Sequence, residues 1–315
     1  MPVTVHTHVP HGQGFPPDPI PRIILGGSVN LFAGAPGSGK TALLAGLLRK
    51  LRDGEPIFGH LPNPVPKIAV LSIDRSWAQS SKLWFDLAGF PEIPYYCLQD
   101  DLSFDPAQLE HKRLRMKILR DCIEKLLPLP FGSFLSIDPI APFLGGNLND
   151  YDTCMVACTR LRRLAREYGI TILGSSHAGK QKGDKKDQYR RLQDRIVGST
   201  AQFGYTDTQL YLASPEETGE KHHTFCWTPH HAPAEVFKLG RAEDGTFVSW
   251  EASVQAEEET RVLAAITGDA EGTGWNELLI STEVSKTTLH RLLMDEIRDG
   301  RVVKVGHGRY RRILH

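Results

Sequence analysis

The chain has 315 residues, of which 40% are hydrophobic, and this is enough to bury the core of one large domain and a smaller one. Disordered and fibrous classes are therefore excluded. There are 37 basic and 37 acidic residues, so any affinity for nucleic acid must come from local basic patches and not from the overall charge.

Residues 1–21 are rich in proline, glycine and histidine and have no periodic apolar pattern, which predicts a flexible or loosely docked arm. They lack the basic and apolar regions of a secretory signal. No apolar run reaches the roughly 18 residues that a membrane span needs. Five cysteines without CxxC spacing are typical of reduced thiols. These features predict a soluble, cytoplasmic protein that makes no membrane contact.

Apolar strands alternate with helices through most of residues 22–252, which we predict to form one large domain. The pattern predicts strands at 28–33, 68–73, 95–98, 134–137 and 170–175, and helices at 41–51, 76–87, 114–126 and 151–168. Such alternation predicts an α/β fold with a parallel sheet that helices cover on both faces. From 209 to 250, short β-like runs beginning with LYLAS predict antiparallel strands at the sheet edge. The stretch EASVQAEEE, 251–259, indicates a hydrophilic linker.

A phosphate-binding signature, GAPGSGKT, follows the first strand and precedes the first helix. Its glycines let backbone amides face a phosphate, and the helix adds its positive N-terminal end. Lys40 would reach the β- and γ-phosphates, and the Thr41 hydroxyl would help to hold Mg²⁺. We predict that ATP is bound by the whole loop: Gly34, Ala35, Pro36, Gly37, Ser38, Gly39, Lys40 and Thr41.

The tetrapeptide LSID occurs twice, and each copy ends an apolar run on an aspartate, Asp74 or Asp138. Asp138 suits the acidic residue that coordinates Mg²⁺ beside Thr41. Because Pro139 follows Asp138, no second acid stands next to it. Asp74, at the end of the neighbouring strand, is therefore the predicted catalytic base. The alternative for Asp74 is the cap of a helix.

The chain resembles the RecA-like ATPases over about residues 22–250, and among them the RepA-like hexameric replicative helicases of plasmids and phages. The segments GAPGSGKT, VLSIDRS, LSIDPI, TILGSSHAGK and RIVGSTAQ carry the resemblance, in that order. It implies a RecA-like P-loop core, a homo-oligomer that we expect to be a hexamer, and His177 as sensor of the γ-phosphate. A histidine satisfied by backbone is the alternative for His177. Asp74 stands where that family mostly has glutamate.

The resemblance also implies a cation supplied by the next subunit. Lys238 and Arg241 resemble the family's basic hairpin, although a pair of solvated turn cations would show the same pattern. The segment 179–195 has seven cations against three aspartates and follows the proposed sensor. It corresponds to the loop that grips single-stranded DNA in the central channel of such rings, and a charged surface loop is the alternative. The predicted contacts are Lys180, Lys182, Lys185, Lys186, Arg190 and Arg191.

Residues 258–315 have apolar positions at helical spacing across three short helices, followed by a hairpin, which predicts a winged-helix domain. Ser285 is the predicted cap of the helix that would enter DNA. The predicted duplex DNA contacts are Lys286, Arg291 and Arg309. Many winged helices bind proteins instead, and RepA-like rings generally lack this appendage.

The sequence therefore predicts an ATP-hydrolysing helicase or translocase that acts on single-stranded DNA in replication of the plasmid or phage type. The alternative is an ATP-switched DNA-binding regulator, or a recombination or loading factor, without unwinding activity. A third hypothesis is a RecA-fold ATPase whose partner is a protein.

Overall fold

The computed structural model describes residues 15–73, 95–101, 104–111, 114–126, 129–144, 151–177 and 206–313. The chain divides into two compact units. The first comprises Met1–Leu239 with Glu243–Phe247, and the second comprises Gly240–Ala242 with Val248–His315. Each unit is described by itself below.

The large sheet has nine strands within the described residues. They are β1 (Val29–Gly34), β2 (Ile68–Ser72), β3 (Tyr95–Cys97), β4 (Phe134–Asp138), β5 (Thr171–His177), β6 (Thr208–Ala213), β7 (His223–Pro229), β8 (Glu235–Arg241) and β9 (Phe247–Ser249). Their order in the sheet is β3-β2-β4-β5-β1-β6-β7-β8-β9. Every pair from β3 across to β6 is parallel, whereas β7 is antiparallel to both β6 and β8.

Helices cover both faces of this sheet. They are α1 (Lys40–Asp53), α2 (Arg115–Lys125), α3 (Ala141–Leu144), α4 (Tyr151–Tyr168) and the short α5 (Pro215–Thr218). Leu44 and Leu48 of α1 belong to the core on one face, and Leu119 of α2 and Leu161 of α4 belong to the core on the other. The predicted α/β fold with a mostly parallel sheet is confirmed. Among the described helices, none has both the length and the apolar character that a bilayer span requires.

The direction predicted for the run LYLAS is wrong. This run lies in β6, which pairs parallel with β1 so that Thr208 stands opposite Asn30. Every residue of β6 is buried, as expected of an interior strand in a parallel sheet. A hydrophobic run does not encode the direction of its strand, so the pattern cannot distinguish β6 from β7 and β8. The antiparallel pairing of β7 and β8 is as predicted.

The predicted N-terminal arm is packed onto the fold at its end. Ile20 is buried in the core beneath α1, and an oxygen of the Asp18 carboxylate accepts a hydrogen bond of 2.9 Å from the amide of Gly26. The prediction of a loose arm is therefore wrong for residues 15–21, because the proline-rich composition does not reveal that one isoleucine fits the core. Residues 1–14 lie outside the described part of the chain.

The second unit combines helices with a small antiparallel sheet in which β12 is central. Its elements in chain order are α6 (Trp250–Ala265), β10 (Thr273–Gly274), α7 (Trp275–Thr282), α8 (Lys286–Arg298), β11 (Val302–Gly306) and β12 (Arg309–Arg312). The core lies among the helices and includes Val262, Leu278, Leu289, Leu292 and Leu293. Ser285 caps α8 as predicted, because its hydroxyl accepts a hydrogen bond of 3.1 Å from the amide of Thr288.

The stretch EASVQAEEE is helical, so the predicted linker is wrong. It forms most of α6, and its alanines, glutamates and glutamine favour helix while glycine and proline are missing from it. Val262, further along α6, is fully buried in the core of the second unit. The predicted domain start at 258 therefore falls inside a helix. Glu251 and Glu257 are exposed on the surface of α6. Such glutamates give the segment the hydrophilic composition that is also typical of a linker.

The buried carboxylate of Glu296 lies in a cluster of charged side chains in the second unit. Glu296 of α8 is only 1% exposed, and its Oε2 lies 2.8 Å from Nε of Arg301, the residue before β11. Arg301 also contacts Oε1 of Glu259 on α6 at 2.8 Å and Oδ2 of Asp299 at 3.3 Å. Burial and a hydrogen bond with Glu259 raise the pKa of Glu296 to about 7, although Arg301 acts in the opposite direction.

We expect the second unit to lose stability as the pH rises through about 7. A carboxyl group whose pKa is raised by folding holds its proton more tightly in the folded state. Its contribution is therefore complete below the ordinary glutamate pKa of 4.5 and is lost as the group ionises. In Glu296→Gln, the loss of stability between about pH 5 and about pH 8 should shrink by on the order of 1–2 kcal/mol.

Amide hydrogen exchange in α8, corrected for the intrinsic effect of pH on exchange, measures this change for the second unit alone. Asp295→Asn is the control, because Asp295 lies on the same helix but is 37% exposed. An equal pH dependence in the Glu296→Gln protein and the parent chain would contradict the expectation.

Candidate nucleotide-binding site

Three strands of the large sheet end together at one edge. β1 ends at Gly34, β4 at Asp138 and β5 at His177. Gly34 stands opposite His177 in the register of β1 and β5, and Ile137 stands opposite Gly174 in that of β4 and β5. Because all three strands are parallel, their carboxyl ends meet at the edge where open α/β sheets bind ligands.

The glycine-rich loop between β1 and α1 curls tightly. Gly37 and Gly39 have φ angles of 79° and 93°, in the left-handed region that favours glycine. Residues 35–38 form a turn in which the amide of Ser38 donates a hydrogen bond of 3.2 Å to the carbonyl of Ala35. α1 begins at Lys40 behind a glycine, so no side chain caps its first amides. These amides remain available to an anion at the positive end of the helix.

The first glycine of the loop is required by close packing. A Cβ atom on Gly34 would lie 2.6 Å from the carbonyl oxygen of Leu212 in β6 and 3.0 Å from Oγ of Ser38. Ser38 itself is 1% exposed, and its hydroxyl has no hydrogen-bond partner among the described residues. A buried hydroxyl of this kind is typical of a polar site that a ligand completes.

The side chain of Lys40 turns back into the loop. Its Nζ donates to the carbonyl oxygens of Gly34 at 2.8 Å and Ala35 at 2.7 Å, and the residue is only 8% exposed. The ammonium group therefore lies inside the curl of the loop, among the groups that a bound phosphate would contact.

Asp138 is held from two sides at the end of β4. Thr41 donates its hydroxyl to Oδ2 of Asp138 at 3.3 Å, and the hydroxyl of Ser175 on β5 donates to Oδ1. The carbonyl of Asp138 accepts a hydrogen bond of 3.0 Å from the amide of Ile73, which follows β2. A carboxylate beside a hydroxyl supplies the hard oxygen ligands that Mg²⁺ prefers, so Thr41 and Asp138 fit this metal.

Sequence reasoning missed Ser175. The pattern TILGSSHAGK predicts a role for His177 and none for the serines before it. The signal was present, because Ser175 and Ser176 are polar residues at the end of an otherwise apolar strand. Its meaning depends on β5 lying next to β4, and the order of the strands cannot be read from the run itself.

Several predicted residues lie outside the described part of the chain. They are the proposed base Asp74 and the DNA contacts Lys180, Lys182, Lys185, Lys186, Arg190 and Arg191. His177 is described and is exposed at the end of β5, beside the start of the glycine-rich loop.

The two predicted trans cations fall in different units of the chain. Lys238 is exposed on β8 and stands opposite Thr224, which in turn stands opposite Ala213 at the end of β6. It therefore lies at the carboxyl edge of the sheet but three strands away from β1, or about 14 Å at the usual strand spacing. Arg241 is exposed and belongs to the second unit.

The predicted duplex contacts of the second unit differ in their surroundings. Lys286 and Arg291 are exposed on α8. Arg309 donates from Nε to the carbonyl of Glu271 at 2.7 Å and from Nη2 to the carbonyl of Gly272 at 2.8 Å. Arg309 thus fastens β12 to the segment before β10, and two of its donors are used within the unit.

Comparison with known families gives a match over residues 14–183 to the family described as AAA domain. Comparison with curated proteins gives no match. Among solved structures, the chain is similar to one described as an ATPase domain, with 15% identity and a TM-score of 0.47 over 70% of this chain and 84% of that chain. It is also similar to "The Structure Of A DnaB-Like Replicative Helicase And Its Interactions With Primase", with 14% identity and a TM-score of 0.46. The latter match covers 70% of this chain and 57% of that chain.

Proposed function

The chain belongs to the AAA domain family, and on this premise we propose that it binds ATP with Mg²⁺ at the carboxyl edge of its large sheet and hydrolyses it. The observation that carries the proposal is the contact of 3.3 Å between Thr41 and Asp138. This contact lies directly behind a glycine-rich loop that encloses the ammonium group of Lys40.

Each residue of the proposed site has one task. The loop amides and Lys40 bind the phosphates, and Thr41 with Asp138 holds the metal ion. Bound Mg²⁺ would neutralise charge on the phosphate oxygens. Asp74 is proposed to accept a proton from the attacking water, and His177 to sense the γ-phosphate from the end of β5.

We further propose that hydrolysis drives a hexameric helicase or translocase along single-stranded DNA. The segment 179–195, with seven cations and three aspartates, begins two residues after His177 in the chain. A change in the contact between His177 and the γ-phosphate would therefore be transmitted along a few residues of chain to the basic segment that we propose binds DNA. Lys238 supports a ring, because it lies at the carboxyl edge but three strands from the loop of its own chain. We propose that in a ring it reaches the site of a neighbouring subunit.

The ATPase rate of the full chain tests this function. We expect turnover to rise several-fold with single-stranded DNA at low salt, less with duplex DNA, and the particle mass to increase when ATP is added. Turnover that ignores single strands at low salt would overturn the helicase proposal and leave ATP hydrolysis standing.

The surface of α8 favours a second candidate, an ATP-switched regulator or loading factor that binds duplex DNA through a winged helix. Lys286, His290, Arg291 and Arg298 are exposed on this helix, and Leu289, Leu292 and Leu293 bury its other side. An exposed basic face on a helix that a core holds rigidly suits the major groove. Strand displacement by the full chain favours the helicase. Sequence-selective duplex binding without displacement favours the regulator.

A further inference from the structure

We propose that Ser175 is a positioning residue that orients the carboxylate of Asp138 toward the metal ion. The proposal rests on the function proposed above, since it concerns the same site. It assigns a role to a side chain that would contact neither nucleotide nor metal itself.

The contacts of Asp138 separate its backbone from its side chain. Its carbonyl is fixed by the amide of Ile73 at 3.0 Å, and the carbonyl of Ser175 accepts from the amide of Ile140 at 2.8 Å. The first bond joins the end of β4 to the residue after β2, and the second joins β5 to the segment after β4. Neither bond restricts the rotation of the carboxylate. Only the hydroxyls of Thr41 and Ser175, bonded to opposite oxygens, are seen to restrict it among the described residues.

Rotation of this carboxylate matters because of what the metal demands. The terminal torsion of an aspartate is broad, with no strongly preferred angle. Mg²⁺ requires near-ideal octahedral geometry. A carboxylate without a fixed orientation is therefore a poor ligand, whether it binds the metal directly or through water. Ser175 is 2% exposed and cannot exchange its bond to Asp138 for one to bulk solvent. With Oδ1 engaged by Ser175, Oδ2 is held on the side of Thr41 and keeps lone pairs for the metal.

Two nearby serines show that a buried hydroxyl here does not by itself contact Asp138. Ser136 on β4 is 0% exposed and Ser176 on β5 is 2% exposed. Neither hydroxyl has a hydrogen-bond partner among the described residues. Ser136→Ala is therefore a matched control for Ser175→Ala, because it removes a buried hydroxyl from the adjacent strand without touching the proposed metal site.

The test is a Mg²⁺ titration of the binding of mant-ATP, a fluorescent analogue of ATP, to the full chain. Ser175→Ala should raise the Mg²⁺ concentration at half-saturation about 10-fold, the lower end of the effect of losing a partner behind a metal ligand. Binding of mant-ATP in EDTA and the unfolding temperature should stay close to those of the parent chain. Ser175→Thr, which keeps the hydroxyl, should shift the titration less than Ser175→Ala. Ser136→Ala should leave it unchanged.

The outcomes separate the two proposals. If the parent chain binds mant-ATP with Mg²⁺ dependence and Ser175→Ala has the same titration, the positioning role is wrong. Equal shifts in Ser175→Ala and Ser136→Ala would also overturn it, because the effect would then come from packing. If the parent chain shows no Mg²⁺-dependent binding, the proposed function itself fails. Should Ser175→Ala not fold, Ser175→Cys is close in size and a weak donor, and the same shift is expected from it.

Discussion

Replacing Lys40 by alanine should slow ATP hydrolysis at least ~100-fold, the usual effect of removing one preorganised charge from a transferring phosphoryl group. The ammonium group already lies inside the glycine-rich loop, 2.8 Å from the carbonyl of Gly34 and 2.7 Å from that of Ala35. In the nucleotide complex, phosphate oxygens would take over as its partners. Steady-state phosphate release, with and without single-stranded DNA, measures the loss.

Lys50→Ala is the matched control for this variant. Lys50 lies in the last turn of the same helix, and its ammonium group is 3.5 Å from the carbonyl of Pro56. The control should hydrolyse ATP at the parent rate, since it lies at the opposite end of α1 from the loop. A Lys40→Ala protein that keeps more than a tenth of the parent rate would mean that the loop does not hold the reacting phosphates.

Lys40→Ala also removes two hydrogen bonds from the glycine-rich loop, so its stability must be measured alongside its activity. Each such bond contributes about 1 kcal/mol, a change that lowers the unfolding temperature by a few degrees but leaves the chain folded. Lost hydrolysis with a cooperative unfolding transition therefore points to chemistry. Lost hydrolysis without one would point to a folding defect instead.

The parts of the candidate site that the sequence predicts are those set by local pattern. The glycine-rich loop is recognised because its glycines, Lys40 and Thr41 are contiguous and stand between a strand and a helix. Asp138 is recognised because an apolar strand ends on it. In a parallel sheet the ends of such strands share one edge, so these two local features meet across 97 residues of chain.

The parts that the sequence does not predict depend on how the strands are arranged. The hydrogen bond from Ser175 to Asp138 exists because β5 is inserted between β4 and β1, and no residue within β5 specifies that order. The direction of β6 is hidden for the same reason. The incorrect linker prediction for part of α6 has a different cause: its high charge predicts an exposed linker, whereas its alanines and glutamates favour helix.

The structure describes the aspartate of only one of the two LSID copies. The second copy ends in Asp138, whose carboxylate contacts Thr41 and Ser175. The first ends in Asp74, which lies outside the described residues, and its role as the base stays a prediction. Two isosteric changes can assign separate tasks to the two carboxylates, because a metal ligand and a general base act at different steps.

Asp138→Asn should abolish Mg²⁺-dependent hydrolysis, with turnover at least ~100-fold below the parent rate, because a neutral amide cannot offset the charge of the metal ion. The amide has the shape of the carboxylate, and its single oxygen can still accept from one of the two hydroxyls, so the fold should survive.

Asp74→Asn should instead bind mant-ATP with Mg²⁺ at the parent affinity and fail to release phosphate. Titrating Mg²⁺ against mant-ATP binding and phosphate release in both variants distinguishes the two roles. Normal turnover by Asp74→Asn would show that the base is another residue and would leave the helix-cap interpretation of Asp74. An unchanged Mg²⁺ requirement in Asp138→Asn would show that Asp138 does not hold the metal ion.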